Sequence, residues 1–219
     1  MLTACWSVKG GCGTTVVTAA LLLGAAAAGR HAVGADFAGD LALALGLAEP
    51  SGPGVFDWLA AGPDVPKDAL SRIAHDTPHG ITLIPRGTAL STPPDADAGR
   101  RLAKSIRNMR AGGPVVADVG RVASPAAEAF VAGADRSLLV LRPCYLALQH
   151  AKDAPRPTAV VLVNERGRKV SRRDIEAILG VPVVAEIDWD ERIARCVDQG
   201  LLRQPLPRPL LHAVRTVAA

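Results

Sequence analysis

After its first apolar run the chain reads Val8-Lys9-Gly10-Gly11-Cys12-Gly13-Thr14-Thr15. The run before it, Leu2–Val8, is strand-like, and the residues from Thr15 or Val16 onward favour a helix. Glycines between a strand and a helix let backbone N–H groups curl around an anion, and the free amides and dipole of the helix add to the attraction. This order of elements predicts a phosphate-binding turn, whereas the alternative is a tight turn with no ligand.

Strand-like and helix-like segments alternate along the rest of the chain. Further strands are predicted at Ala32–Asp36, Ile81–Ile84, Pro114–Val119, Ser137–Leu141, Thr158–Val163 and Val181–Ile187. These runs are apolar throughout, which is typical of strands buried on both faces of a parallel sheet. The alternation predicts an α/β fold of three layers, with a mostly parallel sheet of about seven or eight strands and helices on both faces.

Several helix ends carry sequence signals. Ser124-Pro125 combines an N-cap with proline at the first helical position, and Ser171–Asp174 is typical of a capping box. Gly180 follows as the expected end of the second of these helices. The run Leu41–Leu47 alternates leucine with small residues, but its alanines and leucines favour a helix. We therefore expect a helix over Leu41–Leu47.

Composition excludes several classes of protein. The 219 residues are 49% hydrophobic and 21% charged, which excludes a disordered or collagen-like chain. No apolar run reaches the roughly 18–20 residues of a membrane span, and no basic segment follows Met1, so we expect a cytoplasmic protein. The four cysteines, which are far apart and lack metal-ligand spacing, are expected to be reduced thiols; they are Cys5, Cys12, Cys144 and Cys196.

The glycine-rich segment resembles the deviant Walker A motif of the MinD/ParA family, K-G-G-x-G-K-[ST]-[ST]. The resemblance implies a P-loop NTPase fold of the SIMIBI type, with ATP and Mg²⁺ as cofactors. It implies that Lys9 is the signature lysine, which reaches across a homodimer to the nucleotide of the partner. The phosphates would then be held by Gly10, Gly11, Cys12, Gly13, Thr14 and Thr15. The Thr15 hydroxyl would also bind Mg²⁺. A thiol at Cys12, close to a helix N-terminus, would have a lowered pKa.

The resemblance extends to three more positions. Asp36 is similar to the first aspartate of the family's switch region, and it implies a catalytic role. Asp118, at the end of its predicted strand, is similar to the Walker B aspartate that serves Mg²⁺; the alternative is a loop cap. Asn164 is similar to the asparagine that contacts adenine in relatives, although asparagine also forms turns. The segment Gly39–Leu45 resembles the CpaE/TadZ branch, which is linked to pilus assembly and polar localisation.

Two departures from the family pattern bear on activity. Thr14 occupies the lysine slot of the loop, which removes a charge worth up to about 4 kcal/mol gross at 4 Å from phosphate. Of the switch motif D-x-D, the chain keeps the first aspartate, Asp36, and has Ala38 in place of the second. Losing a group that positions the nucleophile commonly costs on the order of 10²-fold in rate. We therefore expect weakened nucleotide binding and weak or absent hydrolysis. Asp40 is expected to be the N-cap of the next helix.

Basic residues concentrate in two places. One helix is predicted to carry Arg100, Arg101, Lys104, Arg107 and Arg110, and a second run spans Arg166–Arg173. The net charge of +4 permits an anionic partner without identifying one. These residues are either solvated surface or a site for non-specific contact with DNA phosphates, which salt would weaken.

The sequence predicts a P-loop domain over residues 1–204 and a proline-rich tail over residues 205–219. The tail is short and lacks Phe and Trp, so strong membrane contact is not expected and docking on the protein's own surface is favoured. The leading hypothesis is a degenerate nucleotide switch that positions a cellular assembly, such as pilus or secretion machinery, the septum or the chromosome, through dimerisation. The alternatives are a nucleotide-independent scaffold with an unknown protein partner and a DNA-binding positioner.

Overall fold

The sheet is built from the predicted strands with one addition. The structure is a computed structural model that describes residues 1–88, 93–109, 112–202 and 205–218. In these ranges the strands are β1 (Leu2–Ser7), β2 (Ala32–Asp36), β3 (His75–Asp76), β4 (Ile81–Ile84), β5 (Val115–Arg121), β6 (Arg136–Leu141), β7 (Ala159–Asn164) and β8 (Val183–Asp188). They form one sheet in the order β3-β4-β2-β5-β1-β6-β7-β8. All pairs are parallel except β3 with β4, so the fold class is confirmed.

The added strand, β3, is two exposed residues at the antiparallel edge of the sheet. Its residues, His75 and Asp76, have neither the apolar nor the alternating pattern of a buried strand. Pairing with β4 is what makes them a strand, because His75 lies opposite Leu83 and Asp76 opposite Thr82. A local pattern therefore carried no signal for this element.

Helices connect the strands and cover both faces of the sheet. Within the described ranges they are α1 (Thr14–Ala27), α2 (Leu41–Ala44), α3 (Val55–Ala60), α4 (Ala69–Arg72), α5 (Ala96–Arg107), α6 (Pro125–Ala132), α7 (Tyr145–Lys152), α8 (Arg172–Leu179), α9 (Glu191–Asp198) and α10 (Arg208–Ala218). Side chains of β1 alternate between two apolar clusters, with Leu2, Ala4 and Trp6 in one and Cys5 in the other. The layers are therefore helix, sheet and helix.

The predicted helix ends are largely confirmed. The Ser124 side chain accepts a hydrogen bond from the Ala127 N–H at 3.2 Å. Ser171 and Asp174 form the capping box, and Gly180 ends α8 in the left-handed conformation at φ 63°. The helix expected over Leu41–Leu47 is shorter, since α2 ends at Ala44. Its C-terminal part instead forms the turn around Gly46, whose φ is 70°.

The C-terminal helix α10 packs on α1 and β8, so this part of the tail docks on the protein's own surface, as expected. Its buried side chains are Leu210, Ala213, Val214 and Val217. The approach is close at Gly24 of α1, where an added Cβ would lie 2.4 Å from Val214 Cγ1. Glycine is therefore required at this crossing. The division of the chain between residues 204 and 205 remains a prediction.

Candidate nucleotide-binding site

The glycine loop between β1 and α1 is open. Gly11 and Gly13 have φ values of 75° and 87°, which suit glycine and turn the chain sharply into α1. Gly13 is the N-cap of α1, so no side chain caps the first amides of this helix. A Cβ added at Gly10 or Gly11 would meet nothing within 4 Å. The loop thus has the free space and the helix N-terminus that a phosphate group requires.

The two threonines of the loop have different positions. Thr14 is buried, and its carbonyl oxygen accepts a hydrogen bond from Thr18 Oγ1 at 3.0 Å. It supplies no cation. Thr15 is half-buried, and its hydroxyl lies close enough to Asp118 to oppose the rise in the pKa of that carboxyl. Lys9 is exposed, and its ammonium has no ion-pair partner within the described part of the chain.

Asp118 is a buried carboxyl with an unsatisfied oxygen. It is fully buried, its Oδ1 accepts a hydrogen bond from the Gly120 N–H at 3.1 Å, and its Oδ2 has no hydrogen-bond partner. Burial and the nearby Asp36 raise the pKa of Asp118 to about 7. A divalent cation bound here would remove the cost of an unpaired buried charge. Thr15 and Asp118 therefore fit a Mg²⁺ ion whose other ligands come from phosphate and water.

Two further observations concern Asp118. The strand β5 continues to Arg121, so the expectation that Asp118 ends its strand is wrong. The register of β5 with β1 shifts immediately after Asp118, between Cys5 and Trp6 of β1. This shift marks a bulge at the site. Among the described residues no group of three or more His, Cys, Asp and Glu side chains could hold a metal by itself. A Mg²⁺ ion would thus depend on the nucleotide for most of its ligands.

The switch aspartate, Asp36, is bound to its own loop. Its Oδ1 accepts a hydrogen bond from the Gly39 N–H at 2.7 Å, and its Oδ2 accepts one from the Leu41 N–H at 3.0 Å. Burial nevertheless raises its pKa. Asp40 occupies the N-cap position of α2, but its side chain makes no capping hydrogen bond. The expectation that Asp40 caps this helix is wrong as to the side chain, because Asp36 binds the Leu41 amide instead.

Solved structures share this fold over nearly the whole chain. MinD from Aquifex aeolicus has a TM-score of 0.78 and 20% identity, covering 99% of this chain and 94% of that chain. The septum site-determining protein MinD from Pyrococcus horikoshii, complexed with Mg-ADP, has a TM-score of 0.78 and 18% identity, with 99% and 93% covered. A ParA family ATPase from Chlorobium tepidum has a TM-score of 0.73 and 17% identity, with 100% and 99% covered. The chain has the MinD/ParA fold. The sequence itself matches no protein-family model and no curated protein.

The cysteine of the glycine loop, Cys12, has a buried side chain. Cys12 is buried in the apolar cluster around α1, and burial raises the pKa of its thiol. The expectation of a lowered pKa is therefore wrong. The Arg142 amide and the Lys9 charge act in the opposite direction, but desolvation is the larger effect. Cys12 can contribute its backbone to the loop, and its thiol is a core side chain.

Asn164 ends β7 at the carboxyl edge of the sheet, where the fold binds ligands. Its side-chain Nδ2 donates a hydrogen bond to Glu186 Oε2 at 2.9 Å. Glu186 Oε1 in turn accepts a bond from Arg172 at 3.2 Å. One N–H of the Asn164 side-chain amide is thus engaged, and the contact of Asn164 with a base remains a prediction.

The basic helix α5 is partly neutralised. Arg100 pairs with Asp97, and Arg107 pairs with Asp135 at 2.9 Å. Arg107 also donates to the Gly133 carbonyl oxygen. The other cations are Arg101, half-buried, and Lys104, exposed, while Arg110 lies outside the described residues. The second basic run also has partners, since Arg168 pairs with Glu165 and Arg172 with Glu176.

Sequence reasoning missed two residues beside the loop. Arg142 follows β6, donates to the Gly11 carbonyl oxygen at 3.3 Å and pairs with Glu165 at 3.0 Å. Trp189 follows β8, and its backbone N–H donates to the Asn164 carbonyl oxygen at 2.7 Å. Arg142 directly follows a predicted strand and Trp189 lies two residues beyond another, and the carboxyl ends of parallel strands lie at one sheet edge. That rule was the available signal for both.

No helix within the described ranges combines the length and the apolar character that crossing a membrane needs.

Proposed function

We propose that this protein is a MinD/ParA-type nucleotide switch that binds ATP with Mg²⁺ and hydrolyses it slowly or not at all. The observation that carries the proposal is the buried Asp118 Oδ2, which lacks a partner beside Thr15 at the base of an open glycine loop. A vestigial loop would be expected to fill this space and satisfy this oxygen. The chain retains both features, at a cost that a bound cation would remove.

The mechanism follows from the residues present. The amides at the start of α1 and the glycine loop would hold the phosphates, while Thr15 and Asp118 would hold Mg²⁺, which neutralises phosphate charge when bound. Thr14 supplies no cation at the lysine position, which lowers affinity. Ala38 supplies no carboxylate to orient a water molecule, so hydrolysis is slow. Asp36 stabilises the switch loop through the Gly39 and Leu41 amides.

The proposed output is the positioning of a cellular assembly through a homodimer in the cytoplasm. Lys9 is exposed and without an ion-pair partner among the described residues, as expected of a lysine that acts on the nucleotide of a second copy. Among the similar structures are cell-division proteins and a MinC:MinD complex, which supports a role in positioning with a protein partner. Assignment to the CpaE/TadZ branch rests on the segment Gly39–Leu45 and on Thr14.

Calorimetry with ATP tests the proposal. Native protein is titrated with ATP in the presence of Mg²⁺ and again with EDTA, and size-exclusion chromatography follows the oligomeric state. We expect binding that depends on Mg²⁺ and a shift toward dimer that Lys9→Ala abolishes. No heat at millimolar ATP would contradict the switch and favour the nucleotide-independent scaffold. Salt-sensitive binding of duplex DNA without nucleotide would favour the DNA-binding positioner instead.

A further inference from the structure

A cavity of about 490 Å³ lies between the switch loop, helix α3, the last residues of β5 and the first residues of α6. Its volume falls within the range of about 300–1,000 Å³ that is typical of pockets for small molecules. In the described part of the chain, no residue of the glycine loop, Lys9–Thr15, lines this cavity. It is therefore distinct from the space above Gly10 and Gly11.

The buried part of the lining is apolar. It consists of the side chains of Phe37, Leu59, Val119 and Ala126, and the half-buried ring of Phe56 lies beside them. The rings of Phe37 and Phe56 pack edge to face, with 6.2 Å between their centroids. An apolar group that enters the cavity would leave water by contacting this surface, which is favourable in proportion to the area buried.

The exposed part of the lining includes two arginines, Arg86 after β4 and Arg121 at the end of β5. The Arg86 guanidinium donates to the Ala38 carbonyl oxygen at 3.1 Å and lies 5.1 Å from the centre of the Phe56 ring. Both of these partners line the cavity, so the charge of Arg86 is held at it. Among the described residues neither arginine forms an ion pair, and no Asp or Glu lines the cavity.

This combination of cations and apolar surface selects a kind of ligand. A guanidinium binds a carboxylate through a fork of two N–H donors. Arg86 keeps donors for such a contact, because a guanidinium has five N–H groups and the bond to Ala38 uses one. An inorganic anion would use the arginines alone, and a neutral apolar molecule would use the buried lining alone. A carboxylate attached to an apolar body would use both.

We propose that this cavity is a binding site for a small organic carboxylate with an apolar body, whose charge is bound by Arg86 and Arg121. This site goes beyond the proposed function, because its ligand needs neither ATP nor Mg²⁺ to bind.

Three probes and five proteins test the proposal. Phenylacetate carries one ring and one carboxylate, phenylacetamide has the same ring without the charge, and acetate has the charge without the ring. Each probe is titrated by calorimetry and by ligand-observed NMR into native protein, Arg86→Gln, Arg121→Gln and Ala127→Phe, which fills the cavity without a change of charge. Arg30→Gln is the matched control, because Arg30 is exposed and does not line the cavity.

We expect phenylacetate to bind native protein at least about tenfold more tightly than phenylacetamide or acetate, since hydrogen bonds between charged groups and burial of the ring each contribute. Arg86→Gln and Arg121→Gln are each expected to weaken phenylacetate binding about 5- to 10-fold, the low end for charged hydrogen bonds, because both side chains are exposed. Ala127→Phe should abolish binding, and Arg30→Gln should stay within about twofold of native.

Several results would overturn the site. Phenylacetate that does not saturate native protein would do so, as would equal binding of phenylacetate and phenylacetamide. Equal losses in Arg30→Gln and Arg86→Gln would reduce the effect to net charge, and native affinity in Ala127→Phe would place the probe elsewhere.

Two controls complete the test. Displacement of phenylacetate by ATP with Mg²⁺ would mean that the probe occupies the nucleotide site and would overturn a separate one. Failure of ATP to bind native protein would overturn the proposed function and leave the carboxylate site standing. An unchanged Tm verifies that each variant is folded, and Arg121→Gln provides a variant that leaves the contact between Arg86 and the switch loop intact.

Discussion

The glycine loop and the switch loop lie at the same edge of the sheet but satisfy their polar groups in opposite ways. The glycine loop leaves space above Gly10 and Gly11, and Asp118 Oδ2 beneath it has no partner. In the switch loop, both oxygens of Asp36 are bound by backbone amides. The Arg86 guanidinium also donates a hydrogen bond to the Ala38 carbonyl oxygen of the switch loop at 3.1 Å.

This difference explains how binding and hydrolysis can separate in one fold. A region that keeps unsatisfied groups gains free energy when a ligand supplies the missing partners. A region that satisfies its own groups gains little free energy from a ligand. The glycine loop is therefore suited to bind, and the switch loop is suited to hold one conformation.

The largest expected effect comes from removing the charge beneath the glycine loop. Asp118→Asn is expected to weaken Mg²⁺-dependent ATP binding by more than about 100-fold, because even outer-shell partners of a metal contribute 10- to 100-fold. Calorimetry with and without EDTA measures the loss. Asp40→Asn, which alters an exposed carboxylate nearby, is the matched control and should bind as native. Undiminished binding by Asp118→Asn would show that the buried oxygen is not a ligand position.

A second variant restores the missing cation. Thr14→Lys is expected to tighten ATP binding about 10- to 100-fold, since a hydrogen bond to a charged group contributes roughly 1.5–3 kcal/mol. Ser51→Lys adds the same charge at an exposed loop position and is expected to leave affinity unchanged. A Thr14→Lys protein that binds no better than Ser51→Lys would mean that the open loop does not receive phosphate.

The raised pKa of Asp118 predicts a pH dependence. Because Mg²⁺ competes with a proton at a carboxyl of pKa about 7, binding at pH 6 is expected to be about tenfold weaker than at pH 8. The shift also affects stability. A folded-state pKa above the unfolded value of 3.8 favours folding at low pH, and this contribution is lost as the pH rises toward 7.

Asp118→Asn tests the same shift without ligand. It should raise the Tm at pH 8 by about 4–8 °C, for about 2 kcal/mol of relieved desolvation, and by less at pH 5. A Tm gain that does not depend on pH would contradict ionisation of Asp118 near neutrality.

The last prediction concerns the switch loop, Asp36–Leu41, whose aspartate is bound by backbone amides. Asp36→Ala should destabilise the protein by about 1–3 kcal/mol, because the Gly39 and Leu41 amides lose their acceptors. Asp40→Ala should change stability by less than about 0.5 kcal/mol, since its exposed side chain makes no capping bond. Urea unfolding of the two variants compares them directly. Equal losses would show that the switch loop is not held by Asp36.

Much of the fold could be predicted because its signals are local. Apolar runs such as Ala32–Asp36 and Ile81–Ile84 match the observed strands to the residue. Cap signals at Ser124 and Ser171 are also confirmed. The strand at His75–Asp76 had no such signal, because only its neighbour makes it a strand.

The candidate site was predicted as a set of residues, while their roles depended on direction and burial. Cys12 and Asp36 stand where the resemblance implies, but the thiol of Cys12 turns into the core and the carboxyl of Asp36 turns onto its own loop. Neither direction is encoded in residue spacing. Trp189 and Arg142 lie near the glycine loop only because the carboxyl ends of β8 and β6 are at the same edge of the sheet as that loop.

By itself, the amino-acid sequence determined the alternation of strands and helices, the glycine turn after the first strand and the absence of a lysine at Thr14. Hydrophobic periodicity and backbone preference are properties of neighbouring residues, so they can be read along the chain. Tertiary structure alone decided which carboxyl stays unsatisfied, which is bound by amides, and which tryptophan remains exposed. Those outcomes depend on the packing of residues more than a hundred positions apart, as with Thr15 and Asp118, and on the solvent that packing excludes.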